Sequence, residues 1–366
     1  MELVVVSDET LRKDFLRLPH HVYAGYPCRR DDLGHAAQNF LYLKDAYAQA
    51  CEVVPLLALR RGKAVARAVL LDDGRLDGLR LGFFEALPEQ EDAVKGILDY
   101  AEAHARRRGA TRIILGLNGH LTYGVGFLRS GFAVPQCFDG AYTAPYYPEY
   151  FDGRGFREHT LTTYHVDNAK FSYPERLFRK AHKRLSYRCI DLKNLRREME
   201  ILGDLFNRTL AGTRFYAPKT IAESHEMLRA FRPLLRNENI IYALHNGREV
   251  GFVLWHPNFN ELIPDNKRMN PFLFFLKCGL LRNRIAEYKI NTIGVLPEFA
   301  GTGAAFGLIA EVHSRVRSRY QGGETAFVWD DNDNSRLLCE KMCRTAYRRY
   351  VVYEWNLNGR QNPVGL

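Results

Sequence analysis

Ile293–Val312 reads IGVLPEFAGTGAAFGLIAEV. An apolar run ends at Pro297, a glycine-rich turn follows (Gly301-Thr302-Gly303), and a helical pattern then begins. Ala305, Leu308, Ile309, Val312 and Val316 recur at the spacing of a core-facing helical stripe. A strand that passes through a glycine turn into a helix start leaves backbone N–H groups unpaired. The helix dipole adds partial positive charge there, so such a turn can hold a phosphate or pyrophosphate. The competing reading is a tight connection that binds nothing, because glycine turns are common.

The chain has 366 residues, enough for about two domains. Its net charge of +10 suits an anionic ligand. No zinc-finger spacing, heptad run or aromatic–glycine RNA motif accompanies that charge, so no nucleic-acid partner is expected. Seven cysteines, Cys28, Cys51, Cys137, Cys189, Cys278, Cys339 and Cys343, are odd in number and scattered. That pattern fits a reducing compartment and no resident metal. The N-terminus carries early acids, and a signal peptide is not expected there. Pro271–Leu281, the most apolar span, is too short to cross a bilayer. A soluble, cytoplasmic protein with no membrane span is the expectation.

Working outward, the first half predicts a strand over Glu2–Val6 and a helix over Leu11–Leu18. A hairpin over Val53–Leu59 and Ala64–Leu71 and a strand over Leu79–Phe84 come next. Pro88 opens a long amphipathic helix to about Arg108, and Arg112–Leu117 is a buried strand. His120, in a glycine-rich turn after that strand, is a possible base or a plain turn residue. The tyrosine-rich run Tyr142–Tyr150 would line an apolar pocket or pack the interface to the second half, and packing is the favoured reading. The apolar pattern weakens over Thr160–Lys170, which places a domain boundary near residue 168. Arg176–Arg197 is strongly basic and reads as an anion patch or a solvated helix face.

The second half repeats the layout. It predicts strand Tyr187–Leu192, helices over Leu195–Leu210 and Thr220–Phe231, and a hairpin over Ile240–Leu244 and Val250–Trp255 turned by Asn246-Gly247. Helix Pro271–Leu281, strand Tyr288–Val295, the glycine turn and helix Ala304–Tyr320 follow. Strand Thr325–Trp329, helix Asn334–Met342 and strand Tyr347–Trp355 close the chain. Both halves share helix, hairpin, strand, helix, strand, which is a duplication by pattern.

Ile293–Ala305 resembles the coenzyme A-binding motif of the GNAT acyltransferase superfamily, in which valine-x-proline and then an arginine or glutamine precede a Gly-x-Gly-x-Gly/Ala loop. Phe327-Val328-Trp329 followed by Asn332, Ser335, Leu338, Glu340 and Lys341 resembles the family's later strand and helix, in the right order and spacing. The resemblance covers about Tyr187–Trp355, and the first half looks like a diverged second copy whose counterpart loop, Glu85–Asp92, contains no glycine. It implies an α/β fold of two tandem GNAT-like domains, each a mixed central sheet flanked by helices, over residues 1–168 and 169–366. One coenzyme site is expected, in the second half.

The resemblance further implies acyl transfer from acetyl-coenzyme A or another acyl-coenzyme A to the amine of a small molecule or peptide. Ile293, Val295, Gly301, Thr302, Gly303, Ala304, Ala305 and Asn332 would hold the coenzyme. A base must deprotonate the amine and an acid must meet the leaving thiolate. Glu287 stands first as base, with His256, Asp330 and Asp331 as further candidates. Cys339 occupies the position of the family's tyrosine acid, with Tyr347 and Tyr350 as substitutes. Ala300 replaces the arginine or glutamine. Two other readings stay open: an aminoacyl-tRNA-dependent aminoacyltransferase, and a non-catalytic binding module. The apolar helix Asn270–Leu281 would either shape a pocket for a greasy chain or pack internally.

Overall fold

The computed structural model describes residues 1–30, 35–76, 78–171, 175–264, 270–343 and 345–358. The first half contains β1 (Glu2–Val5), α1 (Glu9–Val22), α2 (His35–Leu41), α3 (Ala46–Ala50), β2 (Glu52–Arg60), β3 (Lys63–Asp72), β4 (Leu79–Ala86), α4 (Glu91–Arg107), β5 (Arg112–Leu115), β6 (Phe127–Ser130) and β7 (Arg157–Asp167). The second half contains α5 (Glu175–Arg184), β8 (Ser186–Cys189), α6 (Leu195–Leu210), α7 (Ile221–Phe231), β9 (Ile240–His245), β10 (Arg248–Pro257), α8 (Pro271–Leu281), β11 (Glu287–Val295), α9 (Ala304–Val316), β12 (Gly322–Glu324), β13 (Val328–Trp329), α10 (Asp333–Met342) and β14 (Thr345–Asn356).

Local chemistry places the turns. Asn246 and Gly247 both take positive φ (50° and 78°), the geometry of a two-residue hairpin turn that matches strand twist. Thr220 and Glu223 form a reciprocal capping box that starts α7. Gly307 lies inside α9 because the helix crosses Tyr187 closely. A Cβ there would meet the tyrosine oxygen at 1.8 Å.

The strands form one sheet in the order β1-β2-β3-β4-β5-β14-β7-β12-β11-β10-β9-β8. The halves exchange their final strands. β14, from the end of the chain, pairs β5 and β6 of the first half. β7 pairs β12 of the second half, and β7 and β14 lie antiparallel at the seam. The sheet therefore runs unbroken past residue 168. β7 has no signature in the sequence, because its run REHTLTTYHVD shows no apolar alternation. As a seam strand it has neighbours on both faces, and His159, Leu161, Thr162, Thr163, Tyr164 and Val166 are all buried. Of the expected strand Thr325–Trp329 only Val328–Trp329 is strand, as β13, and a separate short strand, β12, precedes it. β12 lies between β11 and β7, whereas β13 pairs β7 alone.

Two principal cores result. One joins α4 and β2–β5 to Tyr350–Trp355 of β14, and the other joins α6 and α9 to β9–β11. Arg348 of β14 spans the seam: its Nε lies 3.2 Å from both Glu324 oxygens, and its terminal nitrogens donate to the carbonyls of Val134 and Pro135. The pair is only 2% and 3% exposed, so the charges are compensated by each other and by backbone dipoles rather than by water.

Candidate active site

The glycine turn is built as a cradle. Gly301 (φ 74°) and Gly303 (φ 92°) both adopt the left-handed region, which glycine enters at little cost. Gly303 caps α9, and the first intrahelical bond runs from the Gly307 N–H to the Gly303 carbonyl. The N–H groups of the first turn point out of the helix, and no acidic side chain in that turn offsets the dipole. Leu308, Val312 and Val316 are buried and anchor the helix; Ala305 and Ile309 are half-buried.

β11 reaches this cradle with one edge open. It pairs β12 in parallel over Glu287–Lys289 alone. β12 then gives way to β13, which pairs β7, so the strands splay and Ile290–Val295 keep β10 on one side only. Among the described residues no side chain bonds to the free edge. Leu254 of β10 faces Thr292 while Trp255 faces Ile290, which leaves Asn291 as the extra residue of a β-bulge. The bulge turns the Asn291 side chain into a pocket.

That pocket is lined by Thr122, Phe138, Asp139, Phe206, Phe231, Leu234, Leu235, Leu254, His256, Phe259 and Asn291. It holds about 50 Å³ in this conformation, and Phe231 and Leu235 in its wall are half-buried. Four polar residues, Thr122, Asp139, His256 and Asn291, line it. Asn291 donates its amide N–H to the Asp139 carboxylate. Lys289 donates to the Asp139 carbonyl at 2.9 Å. Desolvation raises the Asp139 carboxyl above its usual range, against the opposing charge of Lys289, although the outer side of the residue is exposed. His256 is buried, and its Nδ1–H donates to the Pro257 carbonyl at 3.0 Å. That fixes the tautomer and leaves Nε2 as an acceptor, which among the described residues meets no hydrogen-bond partner. Burial lowers His256 to about 4, so it is neutral near pH 7.

The other sequence candidates are placed as follows. Glu287 lies on the same β11 face as Lys289 and Asn291, at the far end of the strand from the glycine turn. Its carboxylate is 3.4 Å from His165 of β7. Cys339 is half-buried on α10, and burial pushes its thiol up to about 11. Asn332 caps α10 by accepting from the Ser335 N–H; the Lys341 side chain lies outside the described residues. Asp330 accepts from the hydroxyls of Thr160 and Thr162, and Asp331 pairs with Arg214. Tyr350 is fully enclosed in the first core, while half-buried Tyr347 lies against His165. His120 is buried rather than on a surface turn. Its Nε2–H donates to the Ala217 carbonyl, and Nδ1 accepts from Thr122 at 3.3 Å. Of the basic stretch, Arg188 is committed to Glu198 and Glu249, while Arg176, Arg179, Lys183 and Arg184 are exposed.

The first half has the corresponding strand end, but it is filled. β4 pairs β5 over Leu79–Leu81 and then parts from it. Asn118 accepts from the Phe83 N–H, the Tyr147 hydroxyl accepts from the Ala86 N–H, and the Tyr146 and Tyr150 hydroxyls donate to the Ala86 and Leu87 carbonyls. The run Tyr142–Tyr150 thus packs into the gap of its own half.

No family model matches the chain. A curated relative named bacterial ceramide synthase, from Caulobacter vibrioides, is 25% identical over 380 residues, 97% of each chain. Protein YghO of Escherichia coli is 23% identical over 288 residues, 75% of this chain and 73% of the relative. Among solved structures, a tandem GNAT protein from the clavulanic acid biosynthesis pathway superposes with a TM-score of 0.57 and 13% identity, over 99% of both chains. The chain has the tandem GNAT fold.

Proposed function

We propose that this chain is an acyl-coenzyme A-dependent N-acyltransferase whose acceptor is a long-chain amino alcohol. One observation carries the reading: Asn291 sits both at the start of the open β11 edge and in the wall of the apolar pocket. In this reading a thioester held along β11 would lie beside a chain held in the pocket. The fold's general chemistry supports acyl transfer, and the relative named ceramide synthase supports the acceptor, since a ceramide is the amide of a fatty acid with a long-chain amino alcohol.

In this reading the residues divide the work. The α9 N–H groups and the turn Gly301–Gly303 hold the pyrophosphate, and the free β11 edge, including Ile293 and Val295, pairs with the pantetheine arm. The thioester supplies an activated carbonyl. Asp139, raised above an ordinary carboxylate and fixed by Asn291, takes the proton from the acceptor ammonium. The free amine then attacks the carbonyl carbon, the nitrogen gives up its surplus proton to solvent, the new C–N bond replaces the C–S bond, and the sulfur leaves as thiolate. Cys339, protonated at neutral pH, is the candidate that returns a proton to that sulfur. His256 Nε2 accepts from the acceptor hydroxyl, and the phenylalanines and leucines bury its chain.

The test is thiol release from acetyl- and palmitoyl-coenzyme A with a long-chain 2-amino-1,3-diol, its amine-free diol and a panel of short polar amines. Amide formation confined to the long-chain amine is expected. Turnover of the short amines alone would sink the lipid reading.

A further inference from the structure

Helix α8 is apolar on both sides. Phe274 and Cys278 face inward and are buried, and Phe274 stacks on Phe138 of the pocket wall, ring centres 6.1 Å apart. The outward face carries Phe272, Leu273, Leu276 and Leu280, exposed by 74%, 51%, 47% and 73%. Phe272, Leu276 and Leu280 lie four residues apart, so they form one row along the helix. Only five other large apolar side chains of the described residues are comparably exposed, and none belongs to this helix. A contiguous greasy face of this kind marks an interaction surface.

The charges around it indicate what covers it. Between Asn270 and Ala286 the sequence carries Lys277, Arg282 and Arg284 and no acid, and between Met227 and Asn237 it carries Arg229, Arg232 and Arg236 and no acid. These two segments adjoin. The Arg282 guanidinium donates to the Leu234 carbonyl, and Phe138 touches both Phe231 and Phe274. Arg229, Arg232, Arg236 and Arg284 are exposed, and among the described residues none of them pairs with a carboxylate. A basic rim around an apolar helix complements an anionic bilayer, with the ring of cations at the headgroups and the apolar row below them. At 11 residues α8 is roughly 16 Å long, so it lies in the interface and does not cross it.

We propose that α8 docks this protein on the surface of an anionic membrane. Phe231, Leu234 and Leu235 of the neighbouring segment line the pocket, so a lipid chain taken from the docked face meets apolar wall on its way in. The surface and the acyl-transfer reading are separable, because vesicle binding needs neither coenzyme nor turnover.

The experiment is sedimentation of the full chain with vesicles of phosphatidylcholine alone and of phosphatidylcholine mixed equally with phosphatidylglycerol. Binding to the mixed vesicles, weakened by salt, is expected. The variant carrying both Phe272→Glu and Leu280→Glu should lose at least about a hundredfold in partitioning while its melting temperature and coenzyme binding stay as in the parent. A parent chain that remains in the supernatant with both vesicles overturns the proposal. So does a double variant that binds as well as the parent. A parent dimer that the double variant converts to monomer, with no vesicle binding by either, assigns the face to a second copy and overturns it as well.

Discussion

β4 and β11 occupy corresponding places in the two halves and part from their parallel neighbours after three paired residues each. From there they differ in how their freed backbone is satisfied. Along β4, Asn118, Tyr146, Tyr147 and Tyr150 bond to the N–H and carbonyl groups. Even the approach is closed, since a Cβ on Gly82 would meet the Leu117 carbonyl at 2.3 Å. Along β11 those groups are left to the solvent. The helices that follow differ in the same sense: α4 begins with Glu91 and Asp92, whereas α9 begins with no acid. A buried or half-buried strand edge must be satisfied by something. In the first half the protein satisfies it internally, and in the second the strand edge, the glycine turn and the α9 N-terminus stay open to solvent.

The sharpest way to break this contrast is Gly303→Glu. The substitution forces a side chain into φ 92° and puts a carboxylate at the α9 N-terminus. Calorimetry with acyl-coenzyme A should show binding fall below detection, a loss of at least about a thousandfold. Retained binding would mean that the coenzyme does not use this turn. The next largest effect is expected from Asp139→Asn, which keeps the Asn291 contact and removes the base. Turnover should fall about a hundredfold to ten-thousandfold with coenzyme affinity unchanged. In the parent, the pH at which kcat/KM climbs should be raised relative to a free aspartate, because Asp139 acts only once deprotonated and desolvation of its carboxyl against the pocket outweighs the opposing Lys289 and Asn291. An unchanged profile in the variant would hand the base role back to another group, Glu287 first.

Much of this contrast can be read in the residues themselves. Helices over Leu195–Leu210 and Pro271–Leu281 coincide with their expected bounds, and β11 begins one residue early at Glu287. Pro271–Leu281 is legible as an apolar run opened by a proline, and periodicity works for Leu195–Leu210 because that helix has one buried face. Periodicity fails at β7, which is enclosed by both halves and filled with threonine and histidine. The glycine turn and its glycine-less counterpart were visible because backbone conformation selects residue type directly. Asp139 was not. It lies in a segment with no periodicity, and its place beside Asn291 exists only once the two halves meet. The one local trace is its left-handed φ of 59° before Gly140. The tyrosine run was visible as packing, but its target, the β4 edge, follows only from the strand pairing.

The two halves also differ in a histidine pair. His120 has both ring nitrogens bonded, whereas His256 keeps Nε2 open toward the pocket. His256 is held near 4 against about 6.5 in an unfolded chain. Its folded value is the lower one, so the unfolded chain takes up the proton first as pH falls. The associated stability is complete above about pH 6.5 and is lost progressively down to about 4. At about 1.4 kcal/mol per unit this amounts to about 3 kcal/mol. His256→Asn should flatten that part of the urea-measured stability profile. It should also weaken the long-chain amino alcohol without weakening its deoxy analogue. Equal loss for both ligands would remove the hydroxyl contact from the proposal.

The smallest effect tests the filled edge. Tyr147 is fully buried, donates to Glu85 at 2.6 Å and accepts from the Ala86 N–H at 3.0 Å. Tyr147→Phe removes both bonds while keeping the ring in the core. It should cost about 1–3 kcal/mol in urea unfolding, the usual penalty for buried groups left unmet. Coenzyme stoichiometry should stay at one, since the turn after β4 still lacks glycine and α4 still starts with two acids. A second coenzyme equivalent bound by this variant would show that the tyrosines alone close the first site. The difference between the halves would then be a removable plug rather than a difference in backbone and charge.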